Sequence, residues 1–108
     1  MRIITGTARG TKLKTLEGLN TRPTTEMCKE GVFSAIQFEL HDRNVLDLFG
    51  GCGQMGIEAL SRGAESAVFV DSSADSIRVI ADNLKTTGLS DKASVIRYVD
   101  RRWKKING

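Results

Sequence analysis

Val45-Leu46-Asp47-Leu48-Phe49-Gly50-Gly51-Cys52-Gly53-Gln54-Met55-Gly56 reads as a short buried strand, a glycine-rich turn and the opening of a helix. A second apolar strand, Ala67-Val68-Phe69-Val70, follows and ends on Asp71. Glycines let a backbone approach a ligand closely, and a helix that opens at the turn aims free N–H groups at its acceptors. A carboxylate at the tip of the next strand, about twenty residues on, can accept both hydroxyls of a ribose. Glycine spacing alone is a weak signal. With a strand before it, a helix after it and the acid at that distance, it describes a nucleotide pocket rather than a tight turn that binds nothing.

Asp47 bears on which nucleoside ligand fits. Dinucleotide-binding units place the first glycine directly after apolar strand residues, so that a pyrophosphate settles on the helix N-terminus. Here the strand carries a carboxylate, which repels a pyrophosphate and attracts a cation. S-adenosylmethionine has a sulfonium, an ammonium and a ribose, and no phosphate. Asp47 therefore favours the methyl donor over NAD. Two readings of Asp47 itself stay open: direct contact with the ligand, or a cap on neighbouring backbone.

Outward from this unit, the alternation of strand and helix continues. Asn44 to Phe49, Ser66 to Val70 and Ala93 to Tyr98 read as core strands. Gln54 to Arg62 and Ala74 to Thr86 read as the helices between them, the second with an Ile77, Ile80, Ala81 and Leu84 stripe. Gly63 and Gly88 end these helices. Such alternation builds a parallel sheet wound by right-handed crossovers. Upstream, Arg2-Ile3-Ile4-Thr5 and Thr11-Lys12-Leu13-Lys14, joined through Gly6 to Gly10, predict a β-hairpin. Pro23 and Thr24 predict the entry of a helix running to about Leu40, with Met27, Phe33, Ile36 and Leu40 inward. The expected organisation is a hairpin extension over residues 1–22 and an incomplete nucleotide-binding domain over 23–108.

Composition fits one soluble unit: 108 residues, 40% hydrophobic and 27% charged. No stretch is apolar enough to span a membrane, and Met1-Arg2-Ile3-Ile4 is not a signal peptide. Cys28 and Cys52 lack metal-ligand spacing and fit a reducing cytoplasm better than a disulfide framework. His41 has no Ser or Cys partner and is assigned no chemistry. The net charge of +3 is unevenly placed. Arg2, Arg9, Lys12, Lys14 and Arg22 crowd the first segment, and Arg97, Arg101, Arg102, Lys104 and Lys105 close the chain. Basic clusters mark either a phosphate-bearing partner or a solvated face, and charge counts alone leave the two readings level.

Specific segments resemble one family. Met1-Arg2-Ile3-Ile4, Leu13-Lys14-Thr15, Thr21-Arg22-Pro23-Thr24-Thr25, Val45 through Gly56, Glu58-Ala59-Leu60-Ser61-Arg62-Gly63-Ala64 and Phe69-Val70-Asp71 are together similar to the N-terminal portion of the RsmD family. Those proteins are bacterial 16S rRNA (guanine-N2)-methyltransferases that use S-adenosylmethionine. The resemblance covers the chain to about Ile96 and implies a Rossmann-like methyltransferase sheet, truncated after its third core strand, with an N-terminal hairpin extension. It implies that Asp47, Gly51 and Gly53 line the methionine end of the cofactor and that Asp71 takes the ribose hydroxyls. Asp100, shifted by one position from the family's usual acid, is the candidate at the adenine. It further implies that Arg9, Lys12, Lys14 and Arg22 touch RNA, as 16S rRNA or the 30S particle, in the cytoplasm.

One family feature is missing. The catalytic Asn/Asp-Pro-Pro-Tyr/Phe motif follows the fourth strand, and the only proline here is Pro23. No catalytic residue is therefore assigned, and the isolated chain is expected to be inactive. In the family the fourth strand lies beside the first core strand, whose exposed edge then invites pairing with another chain. The alternative reading is a noncatalytic nucleotide- or RNA-binding module.

Overall fold

The computed structural model describes residues 2–15, 40–48 and 51–98. Three parallel strands form its sheet: β1 (Asn44–Leu48), β2 (Ser66–Asp71) and β3 (Ala93–Arg97), in the order β1-β2-β3. Asn44 pairs with Ser66 and Leu48 with Val70, while Ala67 pairs with Ala93 and Asp71 with Arg97. Helix α1 (Gln54–Ser61) joins β1 to β2, and α2 (Ala74–Thr87) with a 3₁₀ turn at Ser90–Lys92 joins β2 to β3. This is a Rossmann-like arrangement, and it confirms the expected α/β class.

Local chemistry fixes the ends of α2. The Ser73 hydroxyl accepts a hydrogen bond from the Ser76 N–H at 3.3 Å, and Gly88 closes the helix at φ 73°. The buried stripe differs from the expected one: Ile80 and Leu84 face inward, but Ala81 is exposed and Asn83 is buried in its place. Helical geometry allows either stripe, since residues three and four apart share a face. Asn83 can turn inward because its amide finds partners there.

Strand alternation sorts the sheet into two unlike faces. Ala67 and Phe69 are buried beneath the helices in one core with Ile57, Leu60, Ile80 and Leu84, and Val45 and Val95 pack against it. The opposite face carries Leu46, Leu48 and Ile96, which are 61%, 56% and 48% exposed. The first strand is thus half-buried rather than buried. Among the described residues it pairs with β2 only, leaving its other edge unpaired.

The expected hairpin is reduced to a single antiparallel bridge, Arg2 with Lys12. Its turn is closed by Gly10 N–H donating to the Ile3 carbonyl at 2.8 Å and Ile3 N–H to the Thr11 carbonyl at 3.0 Å. The first arm does not extend the ladder because its N–H groups go elsewhere. Ile4 and Thr5 donate to the Glu58 carboxylate at 2.8 and 3.1 Å. The helix expected between Thr24 and Leu40, the 22/23 boundary and the C-terminal cluster beyond Arg97 lie outside the described residues, although Leu40 itself is buried.

Candidate cofactor site and basic hairpin

Parallel α/β sheets place ligands outside the carboxyl ends of their strands. Here the end of β1, the glycine turn and the end of β2 meet there. Gly51 and Gly53 adopt left-handed backbone, with φ of 68° and 77°, which side-chain-bearing residues rarely tolerate. Gly53 caps α1 without any side-chain hydrogen bond, and its carbonyl accepts from Ile57 N–H at 3.0 Å. A Cβ on Gly56 would run into the Phe69 ring and come within 3.1 Å of Asp47 Oδ2. The turn therefore lies tight against β1 and β2.

Asp47 does act as a backbone cap: its Oδ2 accepts from Gly56 N–H at 3.0 Å. Its Oδ1 has no hydrogen bond among the described residues. Burial pushes the Asp47 carboxyl above the usual range, the Gly56 hydrogen bond lowers it in part, and the nearby Asp71 carboxylate raises it again. Asp71 is 6% exposed and holds the Ser73 N–H with Oδ1 at 2.9 Å. A buried and a half-buried carboxylate beside a glycine turn make a site short of positive charge among the described residues. A further polar atom is available to a ligand. Gln54, the first residue of α1, is 4% exposed, and its Oε1 is a buried acceptor with no partner among the described residues. Buried acceptors are rarely left so. S-adenosylmethionine fits this donor set, since it brings a cation to Asp47, hydroxyls to Asp71 and N–H donors to an idle acceptor.

The structure does not bring all predicted site residues together. Asp47, Gly51, Gly53 and Asp71 converge, whereas Asp100 lies outside the described residues. Arg9, Lys12 and Lys14 share the exposed hairpin, and Arg22 is again outside. Lys14 Nζ is already 3.4 Å from Asp82 Oδ2, an exposed pair that salt weakens. Of the C-terminal cluster, Arg97 is described, and its Nε donates to the Ser72 carbonyl at 3.1 Å.

Sequence reading assigned no role to the residues that seat the hairpin. Glu58, with a fully buried side chain, takes Ile4 and Thr5 N–H and pairs with Arg62 Nε at 3.0 Å. The Ser61 hydroxyl donates to the Thr5 carbonyl at 2.7 Å and accepts from Ala8 N–H at 3.0 Å. Asn83 holds Lys14 and Cys52 through backbone groups. Polar residues at inward helical positions were the available signal.

A cavity of about 430 Å³ lies at the other end of the sheet, lined by Asn44, Glu65, Asp91 and Lys92 among others, and holds none of the predicted residues. Among the described residues no helix is long and apolar enough to cross a membrane.

Residues 1–106 match the family model described as conserved hypothetical protein 95. A Bacillus subtilis protein named "Putative rRNA methyltransferase YlbH" is 45% identical over 97 residues, covering 90% of this chain and 53% of its own length. Ribosomal RNA small subunit methyltransferase D of Haemophilus influenzae is 37% identical over 97 residues, covering 89% and 50%. The solved structure "Putative methyltransferase yhhF from Escherichia coli" superposes with a TM-score of 0.78 at 32% identity, covering 90% of this chain and 51% of that one. The chain spans about half the length of the curated relatives it matches.

Proposed function

The chain belongs to the RsmD family, described as conserved hypothetical protein 95, and on that premise we propose that it is the cofactor-binding half of an S-adenosylmethionine-dependent rRNA methyltransferase. The observation that carries this reading is the pair of carboxylates, buried Asp71 and half-buried Asp47, flanking a left-handed glycine turn beside a Gln54 acceptor with no partner among the described residues. Asp47, Gly51 and Gly53 line the methionine end, and Asp71 holds the ribose hydroxyls. Asp100 is the candidate beside the adenine. When bound, S-adenosylmethionine supplies an electrophilic methyl group on its sulfonium. The residues of this chain bind and orient; none of them is assigned to the acceptor.

The substrate is proposed to be a guanine N2 of 16S rRNA in the cytoplasm, as in the family. That exocyclic amine is a poor nucleophile because its lone pair is delocalised into the ring. It needs acceptors for its hydrogens and a stacking surface. Alignment of this kind contributes as much as about 7–11 kcal/mol in favourable intramolecular cases. The 108 residues hold no Asn/Asp-Pro-Pro-Tyr/Phe motif to supply it. The extension over residues 1–22 is proposed as the RNA-contact unit, through Arg9, Lys12, Lys14 and Arg22, and residues 23–108 as the incomplete cofactor domain. The unpaired edge of β1 is proposed as a site of self-association.

Labelled methyl donor, unmethylated 16S rRNA and the purified chain test the division of labour, with one of the longer relatives as control. No label is expected in RNA from the 108-residue chain. Turnover comparable to the control contradicts it. Binding of a 16S rRNA fragment is expected to weaken with salt at a log–log slope near −3, from about four phosphate contacts at about 0.7 counterions each. Removing Lys12 and Lys14 together as alanines flattens that slope by about 1.4, two contacts at about 0.7 each. An unchanged slope moves the RNA site away from the hairpin.

A further inference from the structure

Asn83 is 1% exposed and is the one residue of α2 whose side chain reaches both the basic hairpin and the glycine turn among the described residues. Its Oδ1 accepts from Lys14 N–H at 2.7 Å, and its Nδ2 donates to the Lys14 carbonyl at 3.0 Å. The same Nδ2 donates to the Cys52 carbonyl at 2.9 Å, between Gly51 and Gly53. The amide thus pairs with Lys14 as a neighbouring strand would and spends its second hydrogen on the cofactor turn. These bonds share one rigid amide plane, and the one to Cys52 is buried while those to Lys14 are part-buried.

We propose that Asn83 is a positioning residue that couples the two ends of the site, so that filling the glycine turn and gripping RNA phosphates favour one another. The proposal rests on the functional reading above and adds a link between its two halves. A shift of the Cys52 carbonyl tilts the Asn83 amide. The tilt moves Lys14, whose ammonium is held among the described residues only by the exposed Asp82 pair, weak enough for it to turn toward a phosphate. Because binding free energies are linked, each ligand must raise the affinity for the other by the same factor.

The test measures S-adenosylhomocysteine and a 16S rRNA fragment, each alone and in the presence of the other, on the 108-residue chain. We expect mutual enhancement of about fivefold, equal in both directions. Asn83→Ala and Asn83→Asp are expected to bring the ratio to unity. The aspartate retains an acceptor for Lys14 N–H but has no hydrogen for Lys14 or Cys52. A loss of stability alone lowers both affinities and, because either ligand then refolds the chain for the other, raises the enhancement, so a ratio of unity separates coupling from structure. The wild-type arm needs no substitution and stands even if a variant fails to fold. Binding of both ligands with no mutual enhancement overturns the coupling alone, as does a folded variant that keeps it. A wild-type chain that binds neither ligand overturns the functional reading, and the coupling with it.

Discussion

Asp47 is costly to the fold as a charged group and suits a cationic ligand. Its carboxylate is half-buried near Asp71, with one N–H, from Gly56, donating to it among the described residues. Burial raises its pKa above the ordinary 3.8, so the folded state binds this proton more tightly than the unfolded chain does. Stability of the ligand-free chain therefore falls as pH rises from about 3.8 through the raised value, and the penalty stays at neutral pH. Asp47→Asn keeps an acceptor for Gly56 and removes the charge. The variant is expected to melt higher than the wild type at pH 7, by about 4–8 °C for each kcal/mol relieved. That advantage fades as pH falls toward 3.8. The same substitution weakens S-adenosylhomocysteine, whose ammonium loses a counter-charge. Thermal melts between pH 3.5 and pH 7, with and without ligand, check both effects. A variant less stable than the wild type at neutral pH shows that the Gly56 cap outweighs the desolvated charge.

Helix α1 links two elements through Glu58. Its side chain is fully buried, and removing it takes the carboxylate away from the Arg62 guanidinium, 8% exposed, and from the Ile4 and Thr5 N–H groups. Breaking a buried ion pair from one side destabilises by about 3–5 kcal/mol. Glu58→Ala is expected to lose that much in urea denaturation, and amide exchange at Ile4 and Thr5 should accelerate. A loss below about 1 kcal/mol, the ordinary surface-pair range, shows that the hairpin is held by its apolar side chains instead. At this scale much was legible in the sequence. The three strands and both helices fall within a residue or two of their predicted ends, because glycines and Ser73 mark the boundaries chemically. The hairpin was legible as a turn but not as a ladder, since the competitor for its N–H groups lies 54 residues away in sequence at Glu58. Ala81 and Asn83 exchanged places for the same reason. Hydrophobicity ranks alanine as the inward residue, and only tertiary partners show that the amide is satisfied inside. Asp47, Gly51, Gly53 and Asp71 could be read from spacing, whereas the idle Gln54 acceptor required the packing around it.

Among the described residues, the sheet is covered on one face and open on the other. Leu46, Leu48 and Ile96 stand exposed on the open face, and β1 offers an unpaired edge among the described residues. Exposed apolar edge strands recruit further strands. Sedimentation equilibrium is expected to show association that grows with concentration, and Leu46→Lys together with Leu48→Lys is expected to suppress it. A wild-type chain that stays monomeric at high concentration contradicts association through this edge. The central claim is that the glycine turn and its two carboxylates select a methyl-donor cofactor over a dinucleotide. Isothermal titration of S-adenosylhomocysteine and NAD into the 108-residue chain tests it most directly. S-adenosylhomocysteine is expected to bind more tightly than NAD, and Asp71→Ala to weaken it by about ten- to a hundredfold, the equivalent of a hydrogen bond to a charged group. Tighter binding of NAD, or an Asp71→Ala chain that binds S-adenosylhomocysteine as the wild type does, contradicts it.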